Sequence, residues 1–175
     1  MLTGHRPTGL SEAEQIWAQE EIRRTLKRLQ LFHGSREVIS GLALGADTWW
    51  AQAALSYKMN LAAYIPFEAQ ADSWPVGNQK LWKELREKAS REVVLGTHYD
   101  VKFFHARNDA MIKDADLCVA LWKTSTTRGG TFSAVQKIRK LEKPLILLDP
   151  ESRTVAAERL PSIDNTPTTM IEGER

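Results

Sequence analysis

The sequence predicts an α/β protein, a three-layer sandwich with a mainly parallel sheet between two helical layers. Three observations carry this prediction. Strand-like apolar runs alternate along the chain with segments of helical period. Leu117 to Trp122 are six apolar residues in a row, the pattern of a strand covered on both faces. Several strand-like runs also give way to loops of glycine and small polar residues, and in an open parallel sheet ligands bind outside the carboxyl ends of the strands.

The elements follow in order. Ser11-Glu12-Ala13-Glu14 is a capping box, in which the serine oxygen and the glutamate satisfy free amides at a helix start. Ala18, Ile22, Leu26 and Leu29 then recur at spacings of four, four and three, one face of a helix. Glu37 to Ser40 reads as a short strand, Gly45 to about Met59 as a helix, and Leu61 to Ile65 as a strand stopped by Pro66. Leu81, Trp82, Leu85 and Ala89 mark a second amphipathic helix, and Glu92 to Leu95 a strand stopped by Gly96. Phe104, Met111, Ile112 and Ala115 predict a helix ending near Asp114. After the apolar Leu117–Trp122 run come a helix over Thr131–Leu141 and a final strand over Pro144–Leu148. Beyond Asp149 the pattern fades. Residues 1–160 are expected to form one domain and 161–175 a flexible tail, since Asn165 to Arg175 offers little to bury.

Composition narrows the function classes. The chain has 175 residues, 24 Lys and Arg against 22 Asp and Glu, and a net charge of +2. That length suits one domain with its own core. Its 42% hydrophobic and 26% charged residues are ordinary for a globular protein. The single cysteine, Cys118, cannot form an internal disulfide, which fits a reducing, cytoplasmic setting. No apolar run reaches the ~18–20 residues of a membrane span, and the first residues lack the apolar centre of a signal peptide. The four histidines, His5, His33, His98 and His105, are scattered without metal-ligand spacing, so no metal and no cofactor is expected. The basic group Arg23, Arg24, Lys27 and Arg28 reads as a solvated helix face, and the small net charge makes nucleic acid an unfavoured partner.

Four loops concentrate the candidate chemistry. In Thr3-Gly4-His5-Arg6-Pro7, Gly4 permits close approach of a ligand, Arg6 is suited to a phosphate or carboxylate, and His5 to a hydrogen bond; the plainer reading is a turn with a surface arginine. Ser40 to Asp47, including Gly41, Ala43, Gly45 and Ala46, leads from a strand into a helix start, where free amides favour an anion. It lacks a P-loop lysine, and Asp47 would repel a phosphate unless it caps the helix or binds a ribose hydroxyl. In the third loop, from Pro66 onward, Glu68 and Asp72 are the carboxylates nearest a strand end, and Phe67 or Trp74 is suited to stacking on a base. The fourth, Thr124 to Thr131, places Gly129, Gly130 and the Thr131 hydroxyl at a helix start able to cradle a phosphate. Arg107 and Asn108 lie at or near a helix start that can reach the same crevice; by itself Arg107 reads more readily as a surface arginine than as a site residue.

Taken in order, TGHRP, SGLALGADTWWAQAAL, YIPFEAQ, ARNDAMIKDADLCVALW and RGGTFSAV resemble the YpsA-like branch of the SLOG superfamily, over roughly residues 1–150. Lonely-guy phosphoribohydrolases and DprA/Smf single-strand DNA binders are related branches. The resemblance implies a Rossmann-like fold, a nucleotide or nucleotide-derived ligand, a cytoplasmic location and a homodimer. It leaves open whether the protein is a binding or sensing module, an N-glycosidic hydrolase or a DNA binder. Gly129, Gly130 and Thr131 resemble the core of the Lonely-guy PGGxGTxxE motif, and Arg107 its arginine. The glutamate position is filled by Ala134 or a neighbour. Glycosidic cleavage needs a carboxylate, so the catalytic candidates are Arg107 with Glu68, or alternatively Asp72, as a substitute if the third loop folds over the site. The family carries several strand residues before TGHRP where this chain has Met1-Leu2, which predicts a very short first strand. Of the adjacent Trp49 and Trp50, one is expected to pack on the sheet and the other to be either half-exposed or at a subunit contact, because helical neighbours diverge by ~100°.

Overall fold

The computed structural model describes residues 1–160, and the expected tail at 161–175 lies outside them. Strand β1 (Leu2–Gly4) passes through a single 3-10 turn at Pro7–Gly9 into helix α1 (Glu12–Phe32). Ser11 caps α1 with the full box: Glu14 N donates to Ser11 Oγ (3.3 Å) and Ser11 N to Glu14 Oε2 (2.6 Å). Then follow β2 (Glu37–Ser40), α2 (Ala46–Ser56), β3 (Asn60–Ile65), α3 (Val76–Glu87), β4 (Arg91–Val94), α4 (Val101–Asp114), β5 (Cys118–Leu121), α5 (Gly130–Lys140) and β6 (Leu145–Asp149). Helix α2 stops short of Met59 because Lys58 takes a left-handed φ of 57°.

One strand escapes the sequence reading. β7 (Thr154–Glu158) folds back antiparallel on β6, from Leu145 opposite Glu158 to Asp149 opposite Thr154. Its first four residues are exposed, so no apolar alternation marks it. Register comes instead from the turn, where Asp149 Oδ1 accepts from Glu151 N (2.9 Å) and Ser152 N (3.4 Å).

All other ladders are parallel: β2–β3, β3–β4, β1–β5 and β5–β6. β1 also touches β2, although no ladder joins them, so the strands run 4-3-2-1-5-6-7 across the middle layer. Side chains alternate between two cores. Leu61, Ala63, Ile65, Val119 and Leu121 join Ile22, Leu26 and Trp50 from α1 and α2 on one face. Ala62, Tyr64, Cys118 and Ala120 join Met111, Ile112, Val135 and Ile138 from α4 and α5 on the other. This period of two, apolar at every step, is why the central strands read as unbroken hydrophobic runs. Trp50 is buried in the first core, while Trp49 is half-buried at its margin.

The topology fixes where a ligand can enter. From β1 the chain steps outward through β2 and β3 to β4, and α4 then carries it back to β5 on the opposite side of β1. Loops leaving β1 and β5 therefore part in opposite directions and open a crevice at the carboxyl edge, the switch point of a doubly wound sheet. Among the described residues, no helix is long and apolar enough to cross a membrane.

Candidate functional site

A cavity of about 750 Å³ occupies that crevice, within the usual ~300–1,000 Å³ range of small-molecule sites. Nine candidates from the first, second and fourth loops and from α4 line it: Gly4, His5, Arg6, Ala43, Asp47, Arg107, Asn108, Gly130 and Thr131. They come from three strand-end loops and from the middle of α4, where Arg107 and Asn108 lie well inside the helix rather than at its start, so only the assembled sheet brings them together.

Gly4 sits where β1 meets both α2 and β5. A Cβ there would lie 2.5 Å from Ala46 Cβ and 2.9 Å from Leu121 Cβ. Ala46 is thus a packing partner of Gly4, and its amide donates to the His5 carbonyl (3.3 Å). His5 Nε2 accepts from Lys123 N (2.9 Å), which leaves the ring proton of a neutral imidazole on Nδ1. Burial first, then the nearby Lys123 charge, lowers the His5 pKa below its ordinary value. Lys123 is itself paired with Glu14 (2.8 Å). Arg6 is exposed at the rim of the cavity.

The β2–α2 loop supplies the floor. Ser40 is not at the cavity surface; its hydroxyl donates to the Asp47 carbonyl (2.8 Å) and accepts from Leu42 N (3.1 Å), which ties the loop shut. Gly45 takes a φ of 92° beneath Pro7, and it caps α2 without lining the cavity. Gly41 lies behind Asp47 and Arg107, and a Cβ there would run into the Arg107 guanidinium. The Gly41 carbonyl accepts from Arg107 Nη1 (3.0 Å) and from Gln70 Nε2 (3.1 Å), so both its lone pairs are used.

Arg107 and Asp47 form a buried pair, with Nη1 3.8 Å from Oδ2. Burial pushes the Asp47 carboxyl above the usual range, against the pull of Arg107, the Ala43 and Gly41 amides and Arg6. Burial likewise lowers the Arg107 pKa, opposed by Asp47. Arg107 Nε donates to Asn108 Oδ1 (2.9 Å). The pair therefore gives the cavity floor fixed polarity at small net charge.

On the β5 side, Gly129 caps α5 with a φ of 97° and no side-chain bond, although it does not itself line the cavity. The first amides of α5, at Gly130 and Thr131, thus stand at the cavity without a capping side chain, a favourable place for an anion. Gly130 has open space around its Cα. The loop before it is anchored by buried Asp149, whose Oδ2 accepts from Thr124 Oγ1 (2.6 Å) and Thr124 N (3.3 Å). Burial opposes ionisation of Asp149, but its hydrogen bonds together hold the carboxyl below the usual range.

The third loop is arranged differently from the sequence expectation. Pro66 is buried under the loop and is not at the cavity surface. Glu68 is exposed and outside the lining; its carboxylate pairs with Arg86 (2.7 Å), which holds its pKa low. Asp47 and Asp72 are the carboxylates that do line the cavity. Phe67 and Trp74 line it too. Sequence reasoning did not single out Gln70, Tyr99 or Phe104, which complete the wall. Gln70 is buried, and its Oε1 has no partner. Nothing local in a glutamine marks such a role, since it arises from Gly41, 29 residues away. Among the described residues no group of three or more His, Cys, Asp or Glu side chains gathers to hold a metal.

Comparison with known proteins sets this geometry in a family. No curated protein matches the sequence. Among solved structures, DprA from Streptococcus pneumoniae aligns with a TM-score of 0.60 at 18% identity, covering 83% of this chain and 49% of that one. The chain thus spans about half the length of that protein. DNA processing protein A from Helicobacter pylori, whose structure describes a single-stranded DNA binding mode, aligns at 0.62 and 18%, over 86% and 69% of the two chains. The protein TM1055 aligns at 0.52 and 19%, over 84% and 71%. These likenesses establish a Rossmann-like α/β fold. The YpsA family model, described as the YspA SLOG family, matches residues 1–151, and the chain belongs to that family.

Proposed function

We propose that this protein binds a nucleotide or nucleotide-derived ligand at the carboxyl edge of its sheet, as a cytoplasmic sensor or regulator. The observation that carries the reading is the convergence on one cavity of the uncapped α5 start with Arg6, Arg107 and the close backbone at Gly4. Phosphate oxygens suit the Gly130 and Thr131 amides, and Arg6 at the rim supplies the positive charge that is free of a buried partner. Asp47, held back by Arg107, suits a ribose hydroxyl rather than a phosphate. Glu68 is paired with Arg86 outside the lining, so a glycosidic hydrolase here would have to use Asp72, the third-loop carboxylate at the cavity. A homodimer belongs to the same reading, with Trp49 as the aromatic available to a subunit contact.

Mass spectrometry of small molecules released from the purified protein, with a thermal-shift panel of nucleotides, cyclic nucleotides, ADP-ribose derivatives and inorganic phosphate, tests the reading. A melting shift with a phosphorylated member supports it. A well-folded protein that responds to none of them overturns it.

A second reading, single-stranded DNA, draws on the likeness to the Helicobacter pylori protein. Its charge requirement is larger, because strand affinity comes from many phosphate contacts, whereas the net charge here is +2. Retention of an oligonucleotide in a gel shift at low salt, lost at moderate salt, would favour the DNA reading.

A further inference from the structure

The far wall of the cavity is aromatic, and the residue that stands out on it is one the sequence did not single out. Tyr99, in the loop between β4 and α4, is 68% exposed. It nevertheless has a defined setting. Phe67 meets it edge to face at a centroid distance of 5.5 Å and 72°, and Phe104 at 6.1 Å and 69°; Phe67 and Phe104 meet at 5.4 Å and 87°. None of the three pairs is stacked face to face, so the trio builds a braced wall without using up its own stacking geometry. Phe67 is itself buried, which makes it the support of this wall. Trp74 lines the same cavity from the third loop.

Position links this wall to the polar part of the cavity. Phe104 and Arg107 are three residues apart on α4 and lie on one face, about 4.5 Å along the helix axis. A ligand whose anionic group rests on the α5 start and whose middle passes Arg107 therefore carries its other end against Tyr99 and Phe104. A flat ring is the shape that uses the open π-faces of such a wall.

We infer that the Tyr99–Phe104 wall is the subsite for the planar heteroaromatic ring of the ligand, with Tyr99 as its stacking platform. The inference rests on the proposed nucleotide reading and deepens it: the wall selects nucleotides over sugar phosphates and inorganic phosphate. Stacking on one aromatic side chain is worth roughly tenfold in affinity.

The test is calorimetric titration of the full chain with nucleoside 5′-monophosphates (AMP, GMP, CMP and UMP), ribose 5-phosphate and the free nucleosides. The proteins are the wild type, Tyr99→Ala and Tyr99→Phe, each with a melting curve. Tyr99 is largely exposed, so Tyr99→Phe should melt as the wild type does and Tyr99→Ala should stay folded with a small drop from its lost edge contacts to Phe67 and Phe104. The expected result is a preferred monophosphate bound roughly tenfold or more tighter than ribose 5-phosphate. Tyr99→Ala should remove most of that preference, leave ribose 5-phosphate unchanged, and be rescued by Tyr99→Phe. Equal binding of monophosphates and ribose 5-phosphate overturns the ring subsite while the phosphate reading stands. So does a preference that Tyr99→Ala leaves intact. A nucleoside that binds as well as its monophosphate, and is lost in Tyr99→Ala, supports the ring subsite and overturns the phosphate reading. No binding of any probe overturns both.

Discussion

Replacing Gly4 and Gly130 by alanine, one at a time, separates a glycine kept for packing from one open to a ligand. The Gly4 Cβ position is 2.5 Å from Ala46 Cβ and 2.9 Å from Leu121 Cβ, against ~3.5–4.0 Å for comfortable carbon contacts. Both neighbours are one bond from backbone, so no rotamer change relieves the clash. The start of α2 or strand β5 must move by about 1 Å instead. Overpacking of this kind costs roughly 1–3 kcal/mol, and rigid neighbours place Gly4→Ala near about 3. With about 2–4 °C per kcal/mol for a chain of this size, melting should fall by roughly 6–12 °C. Gly130 has nothing within 4 Å of its Cβ position. Gly130→Ala should hold or raise stability, by about 0.4–1 kcal/mol through a less flexible unfolded chain, while its methyl group crowds the helix-start amides and weakens phosphate-containing ligands. Urea denaturation followed by tryptophan fluorescence, with nucleotide titrations of the folded proteins, reads both effects. A Gly4→Ala loss under about 0.5 kcal/mol would refute the packing argument.

Other outcomes follow from the same contacts. Arg107→Met strands the buried Asp47 carboxylate and should cost about 3–5 kcal/mol; adding Asp47→Asn should restore a large part, measured as a double-mutant cycle in urea. His5 has a lowered pKa in the folded chain, so the unfolded state binds more protons below about pH 6.5. The stability that His5 contributes is therefore present above that pH and is lost as pH falls through its folded pKa. His5→Gln should flatten the wild-type slope of stability across that window, and parallel slopes for the two proteins would refute it. Glu68→Gln should change stability by no more than about 1 kcal/mol, because the pair with Arg86 is largely exposed on the glutamate side. Nucleotide affinity should be unchanged in that variant, and a drop would return Glu68 to the site.

Much of the fold was legible in the chain itself. The capping box at Ser11, the α1 stripe and the apolar strands are local signals, written within one element and read by period. β7 was not, because an exposed edge strand borrows its ladder from β6 and its turn from Asp149. The candidate site divides along the same line. The topology of a parallel sheet gathers strand-end loops at one edge, so Gly4 to Arg6, Asp47, Arg107 and the α5 start could be named from sequence as neighbours of one crevice.

Which side of each loop faces inward was a tertiary decision. Ser40, Gly41 and Gly45 serve the floor from behind, because Arg107, 66 residues from Gly41, occupies the space in front of it. Glu68 is drawn outward by Arg86, and Gln70 inward by the Gly41 carbonyl. Tyr99 becomes part of the wall through Phe67 and Phe104, which reach it from a different loop and from α4. By itself the sequence determined the class of fold and the edge where a ligand would enter, since both depend on periodicity and chain order. The tertiary structure decided which polar groups remain free at that edge, because a buried donor or acceptor is claimed by whichever partner the packing brings within hydrogen-bond reach, however distant in the chain.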